Sequence, residues 1–253
     1  MEVVNLKWNA DIQGLHDECL ANFEDTLEQD VYSHYGKDTY RVITPFGEKG
    51  IYECLDKHAD TLSDLLGVKI GHSYVVQEPN SYYMHHCDPV ATAFFSHSIH
   101  DKLNLIKYFV PTDRVTTPEQ DAAFFRDLCS YVYEAAEDRS DMFIGIKDRL
   151  AELKSEYQLN NDIDLSDDDI DYWRSISPRC SINVQLNEGH SPVNYIVDGV
   201  ETDYTYDIGL LNVDALHGVY NSNNRRLIAR FVIYDKTFTE VDNFLSLRKY
   251  QIH

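Results

Sequence analysis

Between residues 180 and 234 the chain alternates short apolar runs with turn residues, a pattern that a sheet-built body satisfies and a helical one does not. The runs are Ser181–Leu186, Val193–Val197, Ile208–Val213, Val219–Tyr220 and Leu227–Tyr234. Gly189, Pro192, Gly199, Gly209 and Asn221-Ser222-Asn223-Asn224 mark the turns. Several short strands with regular turns predict a barrel or sandwich. Two more strand-like runs lie upstream, 72–78 and 81–86, parted by the turn signal Pro79-Asn80.

The remaining segments predict helices packed around that core. Ile12, Leu15, Cys19, Phe23 and Leu27 fall at helical spacing over 11–29. Ile51, Cys54, Leu55, His58, Leu62 and Leu65 do the same over 51–66, with Gly67 as the stop. Tyr40–Ile43 is a short strand candidate between them. Residues 95–178 differ in character. Thr117-Pro118-Glu119-Gln120 has the form of a helix start, and Phe125, Leu128, Cys129, Val132 and Ala136 then share a face. A second helix is expected over 141–157. The acidic run Asp162–Asp171 lacks EF-hand spacing and its central Gly, so it reads as a solvated loop and helix start. The tail is expected to be helical around Val241–Leu247.

The expected fold class is therefore mainly β with helices: a double-stranded β-helix, or jelly roll. One domain spans 1–253. Residues 1–70 form its support, 71–94 and 179–235 its jelly-roll core, 95–178 a helical insertion able to serve as a lid, and 236–253 a tail.

Composition narrows the function classes. The net charge of −21 on 253 residues would repel phosphate backbones, so nucleic acid is not expected as a partner. Cys19, Cys54, Cys87, Cys129 and Cys180 form no CxxC pair, which argues against a disulfide framework or thiolate zinc site and for a reducing compartment. No apolar run approaches membrane-spanning length, and residues 1–8 lack an apolar signal core. A cytoplasmic protein without a membrane partner is expected.

Chemistry enters with Tyr82-Tyr83-Met84-His85-His86-Cys87-Asp88. His86 and Asp88 end a strand-like run, and in extended backbone residues two apart project to the same side, so imidazole and carboxylate can converge on one cation. Cys87 and His85 would point away. The other His-x-Asp, His58-Ala59-Asp60, lies in a helical pattern, where residues two apart diverge, so His58 reads as a core-edge helix residue. A third ligand has to come from a distant strand. His217 stands between two strand-like runs, with Arg225 and Arg226 downstream. Two imidazoles and one carboxylate on one face are the ligand set of non-haem Fe(II) oxygenases.

The stretches Arg179-Cys-Ser-Ile-Asn-Val-Gln-Leu-Asn187, Pro192-Val-Asn-Tyr-Ile-Val-Asp-Gly199, Gly209-Leu-Leu-Asn-Val-Asp-Ala-Leu-His217, Asn221 and Arg226-Leu-Ile resemble the aspartyl/asparaginyl β-hydroxylase-like branch of the Fe(II)/2-oxoglutarate dioxygenases, which includes free-proline hydroxylases. The resemblance covers the barrel and not the first 65 residues or the insertion. It implies that His86, Asp88 and His217 hold Fe(II). It implies that Arg226 pairs with the distal carboxylate of 2-oxoglutarate, a match of guanidinium fork to carboxylate. Arg179 matches the branch's strand-opening arginine and is a second cosubstrate candidate. Ser181 stands where the branch often has a second His that helps hold the cosubstrate. The interval from His217 to Arg226 is one residue short of the common value, which keeps Arg225 and Arg230 as alternatives. Strand alternation sets Arg226, Ile228 and Arg230 on one side and Arg225 on the other.

The activity implied is hydroxylation of an unactivated C–H bond with O2, coupled to decarboxylation of 2-oxoglutarate to succinate. Retention of Asp88 favours hydroxylation over halogenation. The expected substrate is a small molecule, a free amino acid or amino-acid-like compound. The alternatives are a protein or peptide side chain, or a jelly-roll binding module without turnover.

Overall fold

A computed structural model describes residues 2–23, 40–42, 50–79, 81–95, 127–132, 134–135, 141–156, 165–189, 191–197, 199–221 and 224–252. These fall into two compact units. One comprises Met1–His85, Arg179–Asn212 and His217–His253, and the other His86–Pro178 and Val213–Leu216.

The first unit is the β-rich one. Its long strands are β4 (Ile70–Gln77), β6 (Cys180–Gln185), β9 (Ile208–Leu211) and β11 (Arg226–Ile233). With β1 (Val3–Asn5) and β3 (Tyr40–Val42) they form a sheet of order β1-β9-β6-β11-β4-β3. A second sheet has the order β5-β10-β7-β8, with β5 Ser81–His86, β7 Val193–Val197, β8 Val200–Tyr204 and β10 His217–Asn221. From β4 to β11 the chain passes back and forth between these sheets: β4 to β5, β5 to β6, β6 to β7, β8 to β9, β9 to β10, β10 to β11. That alternation is the winding of a double-stranded β-helix, and the strand pairs whose register is described in both sheets are antiparallel. The fold is the expected jelly roll.

Why the six-stranded sheet holds together is visible in its register. Residues opposite one another share a face. Tyr74 and Val76 of β4 lie opposite Ala229 and Leu227 of β11, which continues through Phe231 and Ile233 against Ile182 and Cys180 of β6. These side chains are buried in one apolar cluster with Leu15 and Cys19 of α1 (Ile12–Phe23) and Leu55, Ala59 and Leu62 of α2 (Glu53–Leu66). A C-terminal helix, Phe238–Ser246, adds Phe238, Val241 and Leu245. Gly67 closes α2 at φ +66, with its N–H on the Ser63 carbonyl at 2.8 Å, as its position in the sequence predicts. His58, 7% exposed, accepts the Asp11 N–H at 3.0 Å and lies edge-on to Trp8, the core-edge role expected of it.

The opposite face of the same sheet is mixed, with Val75, Ile228, Val232 and Leu211 set among polar side chains. It carries Ser73 and Gln77 of β4, Ser181, Asn183 and Gln185 of β6, and Arg226 and Arg230 of β11. Gln77 Nε2 lies 3.3 Å from the Val219 carbonyl of β10, which shows this face turned toward the second sheet. A separate two-stranded sheet is formed by β2 (Lys7–Trp8), which pairs in parallel with β12 (Gln251–Ile252). Strands β1, β2, β8 and β12 are not among the runs expected from sequence. They are short, and β8 (Val-Glu-Thr-Asp-Tyr) is an exposed edge strand with little apolar content to mark it.

In the second unit, α3 (Asp88–Phe95) begins at Asp88. α4 (Ile146–Glu156) and α5 (Asp167–Ile176) bury Ile146, Leu150, Leu153, Ile170 and Trp173. Residues 127–132 are helical and bury Leu128, Cys129 and Val132, as their spacing predicts. Within the acidic run Ser166 and Asp169 form a capping box that starts α5, consistent with the expected helix start. Among the described residues no helix is long and apolar enough to cross a membrane. The expected helix start at Thr117, the residues Phe125, Ala136 and Tyr157, and positions 24–29 of the first predicted helix lie outside the described residues.

Candidate metal centre

His86 is the last residue of β5, and the alternation along that strand separates it from His85. His85 turns to Asn194 of β7, Nε2 to Oδ1 at 2.5 Å, and Asn194 in turn donates to Asp203 at 2.8 Å. His86 is buried and its Nε2 lies 3.4 Å from Asp88 Oδ1. The expected reason for this convergence, two residues of one extended strand, is incorrect for Asp88. The strand stops at His86, and Asp88 opens α3, its backbone N–H bonded to the Val213 carbonyl at 2.9 Å. A strand-to-helix turn, not the pleat, brings the carboxylate to the imidazole. Between them Cys87 is fully buried with its Sγ 3.5 Å from the Cys129 carbonyl, and burial first, with the neighbouring Cys129, pushes its thiol well above the usual range. It behaves as an apolar filler.

His217 opens β10 opposite Tyr195 of β7. The two rings stack with centroids 5.5 Å apart and planes inclined by 28°. Tyr195 is fully buried and is held edge-on by Tyr204, 5.6 Å away. One nitrogen each of His86 and His217 and one oxygen of Asp88 lie within 4.8 Å of one another, and all three residues are buried. Ligand atoms about 2 Å from a common ion are up to about 4 Å apart, so this donor set can close on one cation. Two imidazoles and one carboxylate are a donor set that suits non-haem Fe(II).

On the mixed face of the larger sheet, Arg226 is 5% exposed. Its Nη2 donates to the Tyr206 hydroxyl at 3.0 Å, and Nε has no hydrogen-bond partner among the described residues. No carboxylate stands against it among the described residues. Arg225, by contrast, is exposed and paired with Glu78 at 3.1 Å, and Arg230 is half-buried in the strand. Tyr206 was not legible as a site residue. Its ring lies over Gly209, where an added Cβ would stand 2.8 Å from Tyr206 Cγ, and its hydroxyl also meets Asn183 Nδ2 at 3.4 Å. The available signal was Gly209 itself. It sits inside β9 rather than in a turn, and a glycine within a strand marks a close approach.

Ser181 faces the same side, opposite Val232 and Leu211, buried and with its Oγ lacking a hydrogen-bond partner among the described residues. Arg179 is buried just before β6, its N–H on the Ile233 carbonyl at 2.9 Å. Ile233 ends β11 and Arg226 begins it. Arg179 and Arg226 are thus at opposite ends of the sheet, too far apart to grip one carboxylate. The side chains of Tyr82 and Tyr83 lie outside the described residues.

Two solved structures align over most of the chain. One is a Pseudomonas putida prolyl-4-hydroxylase, at 12% identity and TM-score 0.47, covering 92% of this chain and 91% of that one. The other is the viral collagen prolyl hydroxylase vCPH from Paramecium Bursaria Chlorella virus-1 in its 2OG complex, at 11% identity and TM-score 0.42, covering 92% and 96%. No family model matches the chain, and no curated protein matches it in sequence.

Proposed function

We propose that the protein is an Fe(II)/2-oxoglutarate-dependent oxygenase that hydroxylates a small molecule, a free amino acid or amino-acid-like compound. The observation that carries this reading is the buried donor set of His86, Asp88 and His217, with ligand atoms within 4.8 Å of one another, two on strands of the jelly roll and Asp88 at the start of α3. The resemblance of residues 179–226 to the aspartyl/asparaginyl β-hydroxylase-like branch adds to it.

In this reading His86, Asp88 and His217 hold the iron, which when bound supplies the chemistry that turns O2 and 2-oxoglutarate into succinate, CO2 and an oxidised substrate. The chain supplies binding, orientation and a dry site. Asp88 contributes the one anionic ligand, and its fixed amide on Val213 ties the carboxylate to the segment leading into His217. Tyr195 holds the His217 ring from the side by stacking. Arg226 takes the far carboxylate of 2-oxoglutarate. A guanidinium this deep in a protein costs several kcal/mol of lost hydration unless an anion meets it. A carboxylate ligand supplies that anion, and the Tyr206 hydroxyl bonded to Nη2 helps hold the fork in place. Ser181, on the same face, presents one more hydroxyl to the ligand. Arg179, at the other end of β11, is the candidate for a second anionic group, that of the substrate or of the cosubstrate's near end.

Anaerobic addition of Fe(II) and 2-oxoglutarate to the metal-free protein tests the proposal. A visible charge-transfer band is expected in the wild type and in His58→Ala, and not in His217→Ala. No band in the wild type, or an unchanged band in His217→Ala, contradicts it. Oxygen-dependent succinate formation across amino acids then identifies the substrate.

A further inference from the structure

The mixed face of the larger sheet carries more hydrogen-bonding capacity than the protein uses. Ser73 Oγ, Ser181 Oγ, Asn183 Oδ1, Arg226 Nε and both amide atoms of Gln185 are buried and have no hydrogen-bond partner among the described residues. Buried polar groups are almost always paired, so a cluster of exceptions on one face calls for a cause. Gln185 is the clearest case. It is 5% exposed, and because neither end of its amide is bonded, exchanging the amide oxygen and nitrogen does not remove the exception.

Its place in the sheet says what meets it. Gln185 lies opposite Ile228, and Arg226 is two residues from Ile228 on the same strand. Gln185 and Arg226 are therefore diagonal neighbours on one face, a spacing that long side chains bridge. The neighbouring inward residue on β6, Asn183, reaches the hydroxyl of Tyr206, which accepts from Arg226. Around Gln185 the cation is Arg226 and the other side chains are neutral and able to donate, while the next cation on this face, Arg230, stands one step further along, opposite Asn183. That is the complement of a single carboxylate.

We infer that Gln185 is a specificity-determining residue: its amide N–H donates to the carboxylate that Arg226 binds, so ligand recognition at this end of the barrel is shared between one charged and one neutral donor. This rests on the 2-oxoglutarate reading above and adds to it a residue to which neither the resemblance nor the ligand spacing assigns a role. The amide is kept unpaired in the free protein at a cost in stability, and the ligand relieves that cost.

The test is calorimetric titration of the Zn(II)-loaded protein, which binds without turning over. The probes are 2-oxoglutarate and 2-oxobutyrate, the second lacking the far carboxylate. Gln185→Leu is expected to weaken 2-oxoglutarate by about tenfold or more, the worth of one hydrogen bond to a charged group. It is expected to leave 2-oxobutyrate unchanged and to raise the melting temperature of the ligand-free protein. Gln185→Glu, of the same size, is expected to weaken 2-oxoglutarate further, because its carboxylate occupies Arg226. If the wild type binds 2-oxoglutarate and both variants bind it equally well, the Gln185 inference is overturned while the cosubstrate reading stands. A Gln185→Leu protein that is less stable and weakened equally for both ligands also overturns it, since a packing role predicts that result. Absence of 2-oxoglutarate binding in the wild type overturns the cosubstrate reading and this inference together.

Discussion

At the scale of single residues, the chemistry depends on how few atoms hold each group in place. His217 is fixed by a stack on Tyr195 and by the β10–β7 register, not by its own strand alone. Residues supporting a metal ligand typically contribute tenfold to a hundredfold in metal affinity. Tyr195→Ala should therefore weaken Co(II) binding by about that factor, and Tyr195→Phe, which keeps the ring, should bind nearly as the wild type does. Visible absorption of the Co(II) complex reads both. Equal loss in the two variants would assign the role to the hydroxyl instead of the stack. The residue scale is also where sequence reasoning was most uneven. Alternation separates His85 from His86 and Arg225 from Arg226 correctly, because the period of two in a strand follows from backbone geometry. It failed for Asp88, where the strand had already ended, and it had no access to Tyr206, whose position depends on a missing side chain at Gly209.

At the scale of elements, the C-terminal helix is expected around Val241–Leu247 and starts earlier, at Phe238, behind a side-chain cap that the apolar spacing does not reveal. The helix Phe238–Ser246 begins with a box in which Thr237 and Glu240 satisfy one another's backbone N–H groups, at 2.8 Å for Thr237 N–H to Glu240 and 3.3 Å for the return bond. The Thr237 N–H is the main influence holding the Glu240 carboxyl below its ordinary value of 4.5. A depressed folded-state value contributes stability that is complete above pH 4.5 and disappears as pH falls through the folded value. The carboxylate is largely solvated, so after screening its contribution is about 0.5 kcal/mol. Glu240→Gln should consequently melt slightly below the wild type at neutral pH and together with it once the pH has fallen well below 4.5. Melting curves across that range check the sign, and a gap that widens on acidification would refute it. Element boundaries within the barrel were legible to within a few residues for the buried strands, whose apolar runs are strong. They were invisible for β1, β2 and β12, where two or three residues carry no period of their own and join sheets through partners distant in sequence.

At the scale of the whole molecule, charge and fold divide the work. A net charge of −21 raises the local concentration of divalent cations and lowers that of an acceptor-only dianion such as 2-oxoglutarate. Anion recognition on such a body has to come from a cation shielded from the rest of the charge, and Arg226 on the inward face of the sheet is placed for that. The jelly roll was predictable because two groups of strand-like runs, 72–86 and 180–234, are enough to build both sheets. The order of the strands was not, since it depends on pairings such as β4 with β11 across some 150 residues. The decisive measurement is anomalous diffraction from crystals loaded anaerobically with Fe(II). A single iron peak is expected, bound by one nitrogen of His86, one oxygen of Asp88 and one nitrogen of His217. Iron held by other residues, or no ordered iron with those three side chains turned away from one another, would contradict the assignment.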